Sequence, residues 1–332
     1  MRLRRSLVGL PILLVFAATL VGTVPVEAAR KVTLGVTVDA PVYDPSEESS
    51  FNDVTAHVGG IAPRIWTLFS KWGASDTKNF PMSAASWVGD RGAVPMIFWE
   101  PYKDVNHCDF ADFDKIADGD YDASYVRPWA QAAAAYGGKV LLRFAHEING
   151  AFFPWGIKNK LCDNTIAEYK RAWKHLFSVF KSEGATNVKF LWTVSRKGCK
   201  TRGCNPYEAY YPGNAYVHYV GFSAFNWGRH SGHRWEPLSK IINDVMPYFK
   251  KFTKKPVIIA ELASNKVGGN KPRWLRDGYN MVYQRWPQIK AIVYLNVDLS
   301  SIGHPDWSLA TPSGAYPAYQ SLASKAKFKG RL

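Results

Sequence analysis

The 332-residue sequence has four cysteines, and no two of them form a CxxC pair, which argues against a structural zinc site. It has no GxSxG elbow for a serine hydrolase. In VGFSAFNWG, Ser223 lies two residues after Gly221, but Phe225 stands where the second glycine would be. His146-Glu147 could open the HExxH zinc-protease signature, yet the residue four after His146 is Gly150, so the second histidine is absent. No phosphate-binding loop occurs. The segment VTVDAPVYD from Val36 lacks the glycine-rich turn that a dinucleotide-binding fold places after its first strand. No Ser/Pro-rich linker or low-complexity tract divides the chain. These absences lead to the expectation of one large domain, working without metal or cofactor.

The first residues do carry a signal. MRLRRSLVGLPILLVFAATLVGTVPVEAA joins three arginines to an apolar stretch and a small-residue ending, the pattern of a secretory leader over residues 1–28. Pro11 and Pro25 bracket a stretch too short for a comfortable membrane span, and no comparable apolar run follows. The mature chain, 29–332, is therefore expected to be secreted, extracellular and free of the membrane. The net charge is +15; removing Arg2, Arg4, Arg5 and Glu27 leaves +13, spread evenly along the chain. Nucleic-acid binding would need a basic stripe with interleaved aromatics, and none is concentrated enough. Weak attraction to acidic polymers or anionic surfaces remains compatible with this charge. An even cysteine count suits an oxidising compartment. The expected disulfides are Cys199–Cys204 and Cys108–Cys162, one of three pairings that four cysteines permit. Nothing signals an oligomer, so a monomer is the default.

Eight short runs rich in β-branched or aromatic residues recur: VTLGVTV, PRIWTLFS, VPMIFW, KVLLRF, VKFLWTV, YVGFSAF, PVIIAE and IKAIVYLNV. Helical patterns lie between several of them. In TIAEYKRAWKHLFSVFKSEG, Ile166, Tyr169, Trp173, Leu176, Phe177 and Phe180 share one face. Alternating strand and helix, with eight strand candidates, predicts a single-domain (β/α)8 TIM barrel, whose chemistry would sit at the C-terminal ends of the strands.

Three strands run into glutamate at that end: Glu100 after the third, Glu147 after the fourth and Glu261 after the seventh. Alternation sets Val257, Ile259 and Glu261 on one side of their strand, and Leu141, Arg143 and Glu147 on one side of theirs. If those sides face the axis, Arg143, Glu147 and Glu261 converge. Facing carboxylates in an exported, aromatic-rich chain suit glycoside hydrolysis, where one protonates the leaving oxygen and the other attacks the anomeric carbon or activates water. Arg143 would keep Glu261 charged, while Phe152, Phe153 and Trp155 would desolvate Glu147 and keep it an acid. The alternative is a set of structural ion pairs. Trp66, Trp72, Trp99, Trp155, Trp227 and Trp307 all fall at or just after strand ends, where they could form a groove for sugar rings.

The segments MIFWEPY, RFAHEINGAFFPWG, VGFSAFNWG and KPVIIAELAS, in this order, resemble glycoside hydrolase family 26, from about Val32 to about Gln320. That family's best-known members are secreted endo-β-1,4-mannanases with (β/α)8 barrels that cleave with retention. The resemblance implies Glu147 as proton donor and Glu261 as nucleophile. It makes His146, Trp155, Asn226 and Trp227 substrate contacts; Arg143, Trp99 and Glu100 are expected at the same cleft. Two positions depart from the family pattern. Phe152 and Phe153 stand where many relatives have tryptophan and then an aromatic, and Phe225 stands where relatives have tyrosine. The implied activity is a retaining endo-β-glycanase acting on β-1,4-mannan, with mixed-linkage β-glucan and β-1,3-xylan as alternatives. A non-catalytic polysaccharide-binding barrel is a further alternative from another class.

Overall fold

The apolar runs become strands, as expected for short β-branched segments bounded by turns. The computed structural model describes residues 30–38, 45–73, 78–104, 106–159, 161–196 and 206–332. The expected leader and the pair Cys199 and Cys204 lie outside the described residues. The strands are β1 (Thr33–Thr37), β2 (Ile65–Lys71), β3 (Val94–Glu100), β4 (Val140–Phe144), β5 (Val188–Ser195), β6 (Tyr219–Asn226), β7 (Val257–Ser264) and β8 (Ile289–Leu295). Each pairs in parallel with the next, and β8 pairs with β1 to close the barrel. The α-helices are α1 (Pro45–His57), α2 (Met82–Asp90), α3 (Phe113–Asp118), α4 (Arg127–Tyr136), α5 (Ile166–Ser182), α6 (Tyr207–Tyr210), α7 (Leu238–Asn243), α8 (Met246–Phe252), α9 (Lys271–Arg285) and α10 (Ala315–Ala323). The fold is a (β/α)8 barrel. No helix among the described residues is long and apolar enough to cross a membrane.

Local sequence explains the helix boundaries. In α5, the Thr165 hydroxyl accepts from the Glu168 amide at 3.2 Å, and the Glu168 carboxylate accepts from the Thr165 amide at 2.8 Å. This reciprocal cap is worth about 1 kcal/mol. The helix buries Tyr169, Trp173, Leu176 and Phe180. The stretch from Leu238 to Phe252 reads as one helix in sequence but forms two, α7 and α8. Pro247 has no N–H to give to the carbonyl four residues back, so the first helix stops and the second restarts with proline in its first turn.

Side-chain parity sorts the strands into two layers. Ile65, Phe98, Leu141, Leu191, Ile258 and Val293 fill the barrel interior. Their outward neighbours, Trp66, Trp99, Leu142 and Ile259 among them, pack under the helices. In β7, Val257 and Ile259 face the helices while Ile258 and Ala260 face the axis. Straight alternation would therefore send Glu261 outward, contrary to the expected grouping of Val257, Ile259 and Glu261. The register shifts instead: Phe222 pairs with Ile259, and Ser223 pairs with Glu261, so Ala260 is an extra residue that turns Glu261 inward. Past the strands, Cys108 and Cys162 are disulfide-bonded with Cα atoms 5.3 Å apart, tying the loop after β3 to the loop after β4.

Candidate active site

Arg143 lies at the centre of the barrel mouth with no exposed surface. A buried guanidinium needs partners for its donors, and it has them. Nε donates to Thr193 at 3.0 Å, Nη1 donates to Glu261 Oε2 at 2.7 Å, and Nη2 donates to Ser223 at 3.1 Å. Its plane lies over Phe98 at 4.2 Å. Ser223 in turn donates to Glu261 Oε2 at 3.3 Å. Arg143 was expected at the substrate cleft; the structure buries it, with three of its five N–H donors engaged on β5, β6 and β7. Ser223 had been set aside in sequence because the serine-hydrolase motif was absent. Its inward parity beside Gly221 was the available signal.

Glu147 follows β4 in a turn where Ala145 and Glu147 both adopt left-handed backbone, at φ 41° and 52°. Such residues cost about 1–2 kcal/mol each and need surrounding structure to hold them. Three bonds do so. The Ala145 amide donates to the Trp99 carbonyl at 3.2 Å, and Trp155 Nε1 donates to the His146 carbonyl at 2.8 Å. Asn149 exchanges two bonds with Ser195 on β5, at 3.1 and 2.7 Å. A Cβ on Gly156 would meet the Gly150 carbonyl oxygen at 2.6 Å, so the loop closes on itself only with glycine there. Glu147 is 8% exposed. Burial raises its pKa to about 7, and the neighbouring charge of Glu261 adds to the rise, against a hydrogen bond from Ser223 and the charge of Arg143.

A third carboxyl stands beside this pair. Glu100, at the end of β3, is pushed up to about 7, chiefly by burial, and Lys71 opposes that rise. His146 Nδ1 lies 4.0 Å from Glu100 Oε1. Burial, then the charge of Arg143, lowers the pKa of the His146 ring well below its usual value, so the ring is neutral. Glu100 Oε2 and His146 Nδ1 are both buried without a hydrogen-bond partner.

The aromatic residues are placed differently from expectation. Trp66, Trp72, Trp99, Trp155 and Trp307 are at most 2% exposed, and Trp227 alone of the six is half-buried. Trp99 is not a cleft residue: it faces the helices, against Trp129 and Phe180, and donates to Tyr125 at 2.9 Å. Trp155 is not a platform either, being wholly buried beneath Phe153, whose ring stacks on it at 4.5 Å and 5°. Phe153 and Trp155 both pack against His146. Phe152 is 61% exposed, so it does not desolvate Glu147. Asn226 is also internal: it donates to Ser264 and accepts from the Gly228 and Glu236 amides, fixing the loop after β6. Trp227 keeps an open edge, with His233 stacked on it at 5.0 Å and Trp307 edge-on at 5.4 Å. Among the described residues, no group of three His, Cys, Asp or Glu is arranged to hold a metal ion.

The model of glycosyl hydrolase family 26 matches residues 99–260, a span that holds Glu100, Arg143 and Glu147 and stops one residue before Glu261. The chain is 33% identical over 239 residues to Endoglucanase H of Acetivibrio thermocellus. That alignment covers 71% of this chain and 25% of the endoglucanase, so the chain spans about a quarter of its relative's length. These findings support glycosyl hydrolase family 26. Solved structures agree at the level of fold. A family 26 β-mannanase from Bacteroides ovatus superimposes with TM-score 0.63 at 17% identity, covering 90% of each chain. A modular endo-β-1,4-mannanase from Cellulomonas fimi gives TM-score 0.61 at 13% identity, covering 90% of this chain and 71% of that one.

Proposed function

We propose that the protein is an endo-β-glycanase that hydrolyses by double displacement with retention, Glu147 serving as acid and then base and Glu261 as nucleophile. The observation that carries this reading is the contrast between the two carboxyls. Glu147 is buried and holds its proton to about pH 7, whereas Glu261 has the Arg143 guanidinium as counter-charge at 2.7 Å. Acid and nucleophile need such opposed surroundings. The hydrogen bonds from Arg143 and Ser223 to Glu261 both end on Oε2. Oε1 is thus the atom free to attack the anomeric carbon. As that bond forms, the bond to the leaving oxygen breaks and the Glu147 proton passes to it. Water, deprotonated by Glu147, then displaces Glu261 from the same carbon. The unpaired atoms of Glu100 and His146 and the open edge of Trp227 are the substrate contacts of this reading.

β-1,4-Mannan is the substrate expected from sequence, and the mannanase likeness in fold, at 17% identity or below, is compatible with it. A second reading, mixed-linkage β-glucan, is favoured by the 33% identity to an endoglucanase. Reducing ends released from mannan, barley glucan and xylan decide between them. Binding to all three without sugar release would overturn the enzyme reading and restore the binding-barrel alternative. Glu147→Ala and Glu261→Ala should each lower turnover on the preferred polymer by several orders of magnitude. Export is part of the proposal: the Cys108–Cys162 disulfide suits an oxidising compartment, and a mature N-terminus near Ala29 in culture medium is the expected finding.

A further inference from the structure

The barrel end opposite the active site carries an uncompensated band of positive charge. Lysine stands within three residues of the start of four strands: Lys139 just before β4, Lys189 as the second residue of β5, Lys254 and Lys255 shortly ahead of β7, and Lys290 as the second residue of β8. At β6 the corresponding residue is His218. Since β4 to β8 are consecutive in a closed parallel barrel, these residues form one arc along the rim. Four inter-strand spacings make it roughly 19 Å long. None of these lysines has a carboxylate within ion-pairing distance among the described residues, whereas Arg91, Arg127, Arg171 and Arg196 elsewhere each do. The arc deepens at one point into a cleft of about 450 Å³ lined by Lys250, Lys251, Lys254 and Lys255, with Asn214 and Thr253 at its wall. The pKa of His218 is lowered to about 4, first by burial and then by the charges of Lys189 and Lys255, which locates both cations at the same spot.

We propose that this arc is a second binding surface, for a polyuronate: a linear polysaccharide carrying a carboxylate on each sugar. Periodic point charges along a groove suit periodic carboxylates, and a ligand there leaves the catalytic mouth uncovered. Phosphate polymers are the poorer match, because phosphate recognition draws on arginine's bidentate fork, and the strand-start positions of the arc hold only lysine and one histidine. Single-stranded nucleic acid would need free aromatic faces for its bases. The nearby ring of Trp286 lies under Lys250 at 4.6 Å, and Tyr248, 39% exposed, is a single ring with Lys251 over one face at 5.3 Å, too little for a run of stacked bases. The choice of a plant-type polyanion rests on the polysaccharide reading above, but the surface itself does not.

The test is retention of the full chain on immobilised polygalacturonate, read beside hydrolysis of the preferred neutral polysaccharide. The unaltered protein should bind at low salt and weaken at least tenfold at several hundred millimolar, as screened ion contacts do. The triple variant Lys250→Glu, Lys254→Glu, Lys255→Glu should bind at least tenfold more weakly while hydrolysing the neutral polymer at the normal rate, which also shows that it folds. A control of equal charge change, Lys115→Glu, Lys158→Glu, Lys170→Glu, should bind like the unaltered protein at matched salt. Equal loss in the control, no loss in the rim variant, or tighter retention on DNA, polyphosphate or anionic vesicles than on polygalacturonate would each overturn the proposal. Normal hydrolysis without any polygalacturonate binding would sink this surface and leave the proposed activity standing; binding without hydrolysis would do the reverse.

Discussion

Replacing Glu147 by glutamine should abolish turnover and, above neutral pH, make the protein more stable. The carboxyl titrates at about 7 in the fold against a usual 4.5, because burial penalises its charged form. Its protonated state therefore contributes stability in full below pH 4.5. That contribution falls as pH rises from 4.5 to 7, where the folded chain holds a proton that the unfolded chain has released, and it is gone above 7. At ~1.4 kcal/mol per pH unit the whole effect is about 3 kcal/mol. Glutamine has the shape of the protonated acid and never ionises. Glu147→Gln should thus equal the unaltered protein near pH 4 and exceed it by about 3 kcal/mol at pH 8. Urea unfolding at the two pH values measures this directly. Equal differences at both, or a variant less stable at pH 8, would refute the claim that burial of an ionisable acid is what raises this group. The same titration sets the rate profile: kcat/KM should fall above about pH 7, as the general acid loses its proton.

Three further outcomes follow from contacts at the mouth. Arg143→Met should cost about 3–5 kcal/mol in thermal or urea unfolding, since it leaves Glu261 facing a buried site without its counter-charge, and turnover should fall with it. Trp155→Phe keeps the ring packing but removes the donor to the His146 carbonyl; about 1–3 kcal/mol of stability should go, with a lower kcat as the Glu147 turn loosens. Cys108→Ser with Cys162→Ser opens a closure of 54 residues, worth about 4 kcal/mol in the chain-entropy account, read as a lower urea midpoint.

The barrel was legible because each strand is a short apolar run with its own boundaries, and because eight of them alternate with helices. Arg143 was legible for the same reason: a charge inside such a run must find a partner, and Glu261 provides it. What escaped was geometry that parity alone does not carry. The extra residue at Ala260 reverses the sense of β7 at the point where its glutamate must turn inward. No residue type marks the left-handed backbone at Ala145 and Glu147. Tryptophan misled most, since a large ring with one donor serves a dry interior as well as a sugar face. Asn226 fell to a similar ambiguity: an asparagine after a strand can bind a ligand or satisfy a loop, and here three loop contacts occupy it.

That ambiguity resolves into a division of labour within RFAHEINGAFFPWG. Held in left-handed backbone, Ala145 and Glu147 would relax unless something over-determined the turn. The net worth of a single hydrogen bond is about 1 kcal/mol, so no one contact offsets two such residues. Several together do: Trp99 and Trp155 at the backbone, Asn149 across to β5, and Phe153 stacked over Trp155 to keep water from those bonds. Trp99 and Trp155, expected to grip a sugar, thus hold the turn that carries Glu147, while Glu100 Oε2 and His146 Nδ1 stay buried without a hydrogen-bond partner. Sugar preference should then respond to changes at Glu100, His146 and Trp227 more than to changes at Trp155 or Asn226, whose loss acts on the fold before it acts on the substrate.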